Sequence, residues 1–133
     1  HQVVRRQRQM CIRDSGICGA CTILFNNEPV RSCLMLAPQI DNGEITTIEG
    51  ISENSTYNDL REAFKKYHAL QCGYCTPGFL TTIVYLLEKK QYLSDEEIRK
   101  KLSGNICRCT GYTGIIKAVK EVMANRFKRS IND

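Results

Sequence analysis

The chain has 133 residues, of which 42% are hydrophobic and 25% are charged, so it can form one domain or two very small ones. Its formal net charge is +5, but four arginines against one aspartate place +3 of this within the first fifteen residues. Such a basic arm is usually solvated, and no basic stripe with interleaved aromatic residues follows it, so we expect no nucleic-acid partner. The lack of an apolar run as long as a membrane span, and of a signal peptide, predicts a cytoplasmic protein without a membrane span.

Residues 1–15 have no pattern typical of a strand or a helix. The segment MCIRDS, which ends at Ser15, is also the translation of one reading frame of a widely used transposon-end sequencing adapter. We therefore expect residues 1–15 to be a non-native segment joined to a truncated natural sequence that begins near Gly16.

The next part is predicted to form a small sheet beside a loop of cysteines. Cys18 and Cys21 form a C-x-x-C motif among glycines. TILF is apolar and β-prone, NNE provides turn residues and PVRSC returns, so residues 22–33 indicate a hairpin. Pro29 is then expected at a sheet edge or at the start of a strand. A further short strand is predicted at Glu44–Gly50, after the turn DNG.

From residue 55 the hydrophobic period changes from two to about 3.6, which predicts four helices packed as a small bundle. Pro77 suits the first turn of the second helix, and Ser94 with Glu97 forms a capping box before the third. The apolar faces are expected to form the core: Tyr57, Leu60, Phe64 and Tyr67 in the first helix, Phe79, Ile83, Leu86 and Leu87 in the second, Ile98 and Leu102 in the third, and Ile115, Ile116, Val119, Val122 and Met123 in the fourth.

The eight cysteines are the most informative residues. In a chain without an export signal, clustered thiols favour metal binding over disulfides. They fall into two groups, the first with Cys11, Cys18, Cys21 and Cys33 and the second with Cys72, Cys75, Cys107 and Cys109.

The second group precedes two of the predicted helices, as C-x2-C before the second helix and C-x-C before the fourth. The free N–H groups and positive dipole ends of these helix starts would favour an anionic cluster. Two cysteine pairs supply the two terminal ligands that each iron of a [2Fe–2S] cluster needs, whereas structural zinc commonly takes paired C-x2-C knuckles. The spacing favours iron–sulfur and leaves zinc open, and the first group is ambiguous on its own.

Every cysteine except Cys11 lies within one of five segments: GICGACTI, RSCLMLA, ITTIEG, LQCGYCTPGF and GNICRCTGYTGIIKAV. Together these segments closely resemble the small iron–sulfur subunit of the molybdenum hydroxylases, the family of xanthine dehydrogenase and aerobic carbon monoxide dehydrogenase. The resemblance extends from about Gly16 to Val122. The resemblance implies an α+β fold. A ferredoxin-like β-grasp domain, truncated here to residues 16–52, would precede a four-helix [2Fe–2S]-binding bundle at residues 53–133.

The resemblance also implies the residues of the site. Gln71 matches a glutamine that hydrogen-bonds the pterin cofactor of the large subunit, and Cys109 matches the ligand closest to that pterin. The implied ligands of the two [2Fe–2S] clusters are Cys18, Cys21 and Cys33 for the first cluster, and Cys72, Cys75, Cys107 and Cys109 for the second.

The first cluster lacks one ligand at the expected spacing. A plant-type C-x4-C-x2-C loop would place it at position 13, which is Arg13, and the nearest thiol, Cys11, lies two residues earlier. We expect Arg13 to belong to the non-native segment, so that the helical cluster loads more readily than the first. The alternative is that Cys11 completes the site through a longer C-x6-C loop, which costs little additional closure entropy.

By resemblance the chain is an electron-transfer subunit that passes electrons from the molybdenum centre through two [2Fe–2S] clusters towards FAD. The implied partners are a large molybdopterin-binding subunit and a medium FAD-binding subunit. No residue of this chain is expected to perform substrate chemistry, and His68 is expected at a helix end or on the surface. Two alternative hypotheses are a zinc-binding interaction module, which would be colourless, and a free-standing ferredoxin without a molybdenum partner.

Overall fold

The computed structural model describes residues 15–90 and 92–129. Cys11, Arg13 and all of the expected non-native segment except Ser15 lie outside the described residues. Within the described ranges, no helix combines the length and the apolar character that crossing a membrane requires.

A three-stranded antiparallel sheet confirms the predicted hairpin. Strand β1 (Thr22–Phe25) lies at the centre, between β2 (Glu28–Arg31) and β3 (Ile45–Thr46). The two residues of the hairpin turn, Asn26 and Asn27, have φ of 50° and 64°, and positive φ at both positions is the property of a type I′ turn. Asparagine tolerates this conformation better than most residues, so the sequence NN determines where the hairpin turns.

The predicted strand Glu44–Gly50 is correct only in its first half. Ile45 and Thr46 pair with β1, and the chain then enters helix α1 (Ile48–Glu53). Ile48 and Ile51 explain the difference, because both pack against the core and residues three apart share one face of a helix. In a strand they would point to opposite faces of the sheet.

Four longer helices follow, as predicted. They are α2 (Asn58–Lys66), α3 (Thr76–Glu88), α4 (Asp95–Leu102) and α5 (Thr113–Arg129). Pro77 lies in the first turn of α3. The capping box before α4 is confirmed, since the Ser94 side chain accepts from the Glu97 N–H and the Glu97 carboxylate accepts from the Ser94 N–H.

The hydrophobic core lies mainly among the helices. Helix α2 packs against α5, α4 packs against α5, and α3 packs against both α4 and the central strand β1. Most of the predicted apolar faces are buried, and the largest side chains that are almost fully buried include Phe64, Phe79, Leu60, Ile83, Ile98, Ile115 and Met123. Because α3 contacts both the helices and the sheet, it connects the two halves of the chain and orients the cysteine loop at its start.

Candidate metal centre

The second group of thiols is assembled from the loops that precede α3 and α5. Cys75 is the residue immediately before α3, and Cys109 lies four residues before α5. The Sγ atoms of Cys72 and Cys109 are 3.5 Å apart, close to the ~3.8 Å that two thiolates take on one tetrahedral metal with bonds of ~2.3 Å. Cys75 and Cys107 form a second pair joined by a thiol hydrogen bond. Each pair therefore takes one cysteine from each loop.

The two pairs differ in their exposure to solvent. Cys75 and Cys107 are buried, whereas Cys72 and Cys109 are exposed. Among the described residues, no group of three or more cysteine, histidine or acidic side chains is placed to hold a metal ion. The thiol contacts join Cys72 to Cys109 and Cys75 to Cys107. The four thiols therefore form an inner pair against the core and an outer pair on the surface. We call these four cysteines the helical thiol site.

Cys107 is held by hydrogen bonds from its own loop. Thr110 donates to the Cys107 Sγ from its N–H, at 3.4 Å, and from its hydroxyl, at 3.1 Å. The Cys107 N–H donates to the phenol oxygen of Tyr112, at 3.0 Å. The Tyr112 ring packs edge-on against Phe79 of α3, with ring centroids 6.2 Å apart. The position of this sulfur is therefore fixed by its loop and by the core.

Burial and hydrogen bonding give Cys75 and Cys107 different pKa values. Burial, followed by the hydrogen bond with Cys107, raises the pKa of the Cys75 thiol to about 12. Burial alone would also raise the pKa of Cys107, but hydrogen bonds from the Thr110 hydroxyl and N–H, from the Cys109 backbone and from the Cys75 thiol together lower the pKa to about 7. Since the thiolate is the form that binds metal, Cys107 is ready to act as a ligand near neutral pH.

The donor set of the helical thiol site fits a [2Fe–2S] cluster. Four thiols in two pairs match two terminal ligands for each of two irons. The hydroxyl of Thr76, which directly follows Cys75, is the one buried side-chain polar atom of the described residues that has no hydrogen-bond partner. Leaving such a group unpaired costs about 1–3 kcal/mol, so Thr76 has a donor available for a group bound beside Cys75.

The first group is shallower. Cys18 is exposed, Cys21 and Cys33 are half-buried, and the three line one cavity of about 400 Å³. Burial alone would raise the pKa of Cys21, but hydrogen bonds from the backbone and thiol of Cys33 and from Ser32 hold it below its usual value. Burial and the neighbouring Cys21 raise the pKa of Cys33. The structure thus brings together the three described thiols that the sequence assigned to the first cluster.

The remaining predicted residues, Gln71 and His68, precede Cys72 in the chain. Gln71 is exposed and is adjacent to Cys72 in the chain. His68 is exposed and lies just after α2 with φ of 49°. Sequence reasoning did not single out Thr110 or Tyr112, although both stand in the segment CRCTGY directly after the C-x-C pair. Their position next to the ligands was the available signal.

Comparison with known proteins identifies the domain that contains the helical thiols. A sequence profile described as "[2Fe-2S] binding domain" matches residues 47–120, which is more than half of the chain. Because this domain binds [2Fe–2S] clusters, the match favours iron–sulfur over the zinc alternative.

Two curated relatives illustrate the similarity. The chain is 50% identical over 112 residues to the caffeine dehydrogenase subunit gamma of Pseudomonas sp. (strain CBB1), with 82% of this chain and 67% of the relative covered. It is 37% identical over 123 residues to the xanthine dehydrogenase iron-sulfur-binding subunit of Escherichia coli O157:H7, with 89% and 77% covered. The chain spans 64–67% of the length of this caffeine dehydrogenase subunit and of the small subunits of nicotine 6-hydroxylase and nicotinate dehydrogenase.

Solved structures have the same mixed architecture of helices and a small sheet. Quinoline 2-oxidoreductase from Pseudomonas putida 86 superposes with a TM-score of 0.79 at 44% identity, over 87% of this chain and 72% of that one. The aldehyde oxidoreductase of Desulfovibrio gigas superposes with a TM-score of 0.78 at 32% identity, over 96% of this chain and 15% of that one. The paired thiols, the [2Fe–2S] profile and these relatives agree: the chain belongs to the small iron–sulfur subunits of the molybdenum hydroxylases, the electron-transferring part of these oxidoreductases.

Proposed function

We propose that this chain carries electrons, in the cytoplasm, from the molybdenum centre of a large molybdopterin-binding subunit through two [2Fe–2S] clusters to FAD on a medium subunit. The observation that carries the proposal is the convergence of four thiols from two loops within the [2Fe–2S]-binding domain. Each loop contributes one cysteine to the buried pair and one to the exposed pair. Such a site can exchange electrons with a partner while its interior side stays dry.

We propose a corresponding division of the chain into two domains. Residues 16–52 would be the truncated β-grasp part, supported by the three-stranded sheet next to the first thiols. Residues 53–133 would be the four-helix [2Fe–2S]-binding bundle, supported by α2 to α5 and by the profile match.

In the helical thiol site, each side chain has a distinct role in this proposal. Cys72, Cys75, Cys107 and Cys109 would be the ligands. A [2Fe–2S] cluster supplies one-electron chemistry, with a potential that depends on hydrogen bonds to sulfur and on exposure to solvent. Thr110 supplies such hydrogen bonds at Cys107, and the helix start at Cys75 adds the positive end of the α3 dipole.

The exposed side of the site would face the molybdenum-containing subunit. Cys72, Cys109 and Gln71 are all exposed, and the adjacent Leu70 is 43% exposed, which suits a surface that a partner covers. We propose that Gln71 hydrogen-bonds the pterin and that Cys109 is the ligand nearest to it. No acid–base residue is needed in these roles, because substrate chemistry belongs to the large subunit.

The first group would receive the electron next. Tyr74, which lies between Cys72 and Cys75 in the chain, also lines the cavity of Cys18, Cys21 and Cys33. The two thiol groups are therefore neighbours, which supports direct electron transfer between them. A first cluster would need a fourth ligand besides these three. Arg13 stands at the expected position, and Cys11 is the alternative within this chain.

The names of the relatives support a substrate class for the complex. Those at 50–52% identity are subunits of caffeine dehydrogenase, nicotine 6-hydroxylase and nicotinate dehydrogenase. All three names refer to nitrogen heterocycles. We therefore propose a nitrogen heterocycle as the substrate of the large partner subunit.

The proposal is tested by producing the chain together with molybdopterin- and FAD-binding subunits of a nitrogen-heterocycle dehydrogenase and purifying it by a tag on the small subunit. We expect a coloured complex in which the substrate bleaches the iron–sulfur absorbance. Iron-containing chain without a molybdenum subunit would favour the free-standing ferredoxin. A colourless protein with bound zinc would favour the interaction module.

A further inference from the structure

Asn105 occupies an unusual position for a polar residue. It is only 4% exposed and lies between the end of α4 and Cys107. Its Nδ2 donates to the backbone carbonyl of Gly19, at 3.1 Å, and its Oδ1 accepts from the hydroxyl of Thr82, at 3.1 Å. One buried amide thus joins the loop of Cys18 and Cys21, helix α3 and the segment that leads to Cys107.

The two residues that flank Asn105 also form hydrogen bonds with the first part of the chain. The Gly104 carbonyl accepts from the guanidinium of Arg31 in β2. The Ile106 N–H donates to the Cys18 carbonyl, at 2.9 Å. Three consecutive residues therefore fasten the segment before Cys107 to the first half of the chain. The last of these bonds joins the backbone of a first-group thiol to the neighbour of a helical-site thiol.

The loop that contains Gly19 packs closely against helix α3 and cannot shift without a clash. A methyl group on Gly78 of α3 would overlap the Gly19 carbonyl oxygen and would come within 2.9 Å of the Asn105 Nδ2. Gly19 itself has φ of 74°, a conformation that glycine adopts at little cost. Its carbonyl also accepts from the N–H and the hydroxyl of Thr22 at the start of β1. The Gly19 carbonyl oxygen therefore accepts three hydrogen bonds, two from Thr22 and one from Asn105, and these hold the loop in place.

An amide is the side chain that meets these demands. It offers a donor and an acceptor at a fixed separation and carries no charge that burial would penalise. An apolar side chain of the same size would leave the Gly19 carbonyl without this donor and the Thr82 hydroxyl without this acceptor. Both partners keep another hydrogen bond, the Gly19 carbonyl with Thr22 and the Thr82 hydroxyl with the Gly78 carbonyl at 2.9 Å. The loss of each bond to Asn105 therefore costs about 1 kcal/mol.

We propose that Asn105 is a positioning residue that fixes the loop of Cys18 and Cys21 against the Cys107 segment and so sets the spacing between the two thiol groups. The proposal deepens the proposed function, because the spacing matters for electron transfer only if both groups hold clusters. The hydrogen bonds themselves do not depend on that function.

The test is amide hydrogen exchange on the full chain after anaerobic reconstitution with iron and sulfide, with Asn105→Leu compared with the parent. We expect the protection of the Ile106 and Thr22 amides to fall by about tenfold or more. The amides of Ala118 and Val119 in α5 should keep their protection, and the visible circular dichroism of the helical cluster should be unchanged. A merely structural role would instead lower protection throughout the chain.

Thr82 provides a second pair of variants in case Asn105→Leu does not fold. Thr82→Val removes the hydroxyl that donates to Asn105, and Thr82→Ser retains it. We expect a smaller loss of protection at Ile106 in Thr82→Val and recovery in Thr82→Ser. Unchanged protection of Ile106 and Thr22 in Asn105→Leu, or in Thr82→Val if the first variant is unfolded, would overturn the proposal. Failure of the chain to bind iron would instead count against the proposed function.

Discussion

The two thiol groups of this chain differ in how they are supported. The helical thiol site has four described cysteines, two of them buried, with Thr110 and Tyr112 holding Cys107 from its own loop. The first group has three described cysteines around an open cavity, and its loop is fastened through contacts with Arg31 and the segment at Asn105. The helical thiol site is thus organised by its own loops and helices, whereas the first group depends on a neighbouring segment for its position.

The largest expected effect follows from removing a ligand from one group at a time. Cys107→Ser should abolish iron binding at the helical thiol site, because serine cannot replace the buried thiolate that Thr110 stabilises. Cys33→Ser should leave about two iron atoms per chain, those of the helical cluster. Iron and sulfide analysis after anaerobic reconstitution measures both. Equal loss of iron in the two variants would contradict the independence of the helical site.

A substitution at the contact between the two regions should have the next largest effect. Gly78→Ala introduces a methyl group that overlaps the Gly19 carbonyl, so we expect a loss of about 1–3 kcal/mol in the free energy of unfolding. Urea unfolding followed by far-ultraviolet circular dichroism measures it. Gly50→Ala in α1 is the matched control, since the added methyl group would meet only the Thr46 side chain at an ordinary 3.5 Å. Similar stabilities for the two variants would show that the loop does not need its close approach to α3.

A smaller effect is expected on the redox potential of the helical cluster. Thr110→Val removes the hydroxyl that donates to the Cys107 sulfur at 3.1 Å, a bond that favours the more negative reduced state. If the reduced cluster loses about 1 kcal/mol of stabilisation relative to the oxidised cluster, the one-electron potential falls by about 40 mV. Thr110→Ser retains the hydroxyl and should retain the potential. Titration of the visible absorbance under dithionite distinguishes the two variants, and a potential unchanged in Thr110→Val would show that the bond has no influence.

The smallest effect concerns stability against acid and comes from an ion pair that belongs to neither thiol group. Burial alone would raise the pKa of Asp59, but its paired bonds with Arg126 of α5, 2.5 and 2.7 Å long, hold the pKa below its usual 3.8. The pair therefore stabilises the fold above about pH 4, and its contribution is lost as the pH falls through the lower, folded-state pKa.

Asp59→Asn tests this sign directly. At neutral pH the variant should be less stable by about 0.5–1 kcal/mol, a small value because the pair is partly exposed. The difference should disappear in strong acid, as urea unfolding at several pH values would show. A difference that grows as the pH falls would contradict the assignment.

Much of this fold was predictable from local patterns. The hairpin follows from NN between two apolar segments, and the four helices follow from hydrophobic period, Pro77 and the Ser94 capping box. The error at Glu44–Gly50 arose because TTIEG is β-prone by composition, while the spacing of Ile48 and Ile51 favours a helix once a core is present. Such tertiary preferences are not visible in a short window of sequence.

The division of the seven described thiols into two groups was likewise predictable, because it follows from cysteine spacing and the flanking segments, while their role as ligands stays a prediction. The residues that position them were not. Asn105 contacts Gly19 across 86 positions of the chain, and no periodicity links two residues at that distance. Thr110 and Tyr112 lie beside the ligands, but their hydrogen bonds depend on a loop conformation that includes φ of 67° at Tyr112. The thiols are thus recognised from local sequence, whereas the hydrogen bonds that position them depend on the folded structure.

The most direct test of the account is the metal content of the chain when Cys18, Cys21 and Cys33 are all replaced by serine. After anaerobic reconstitution we predict about two iron and two sulfide per chain, with a single reduced-state electron paramagnetic resonance signal from the helical thiol site. A chain that binds no iron, or binds one zinc ion in its place, would contradict the central claim that these four thiols hold a [2Fe–2S] cluster.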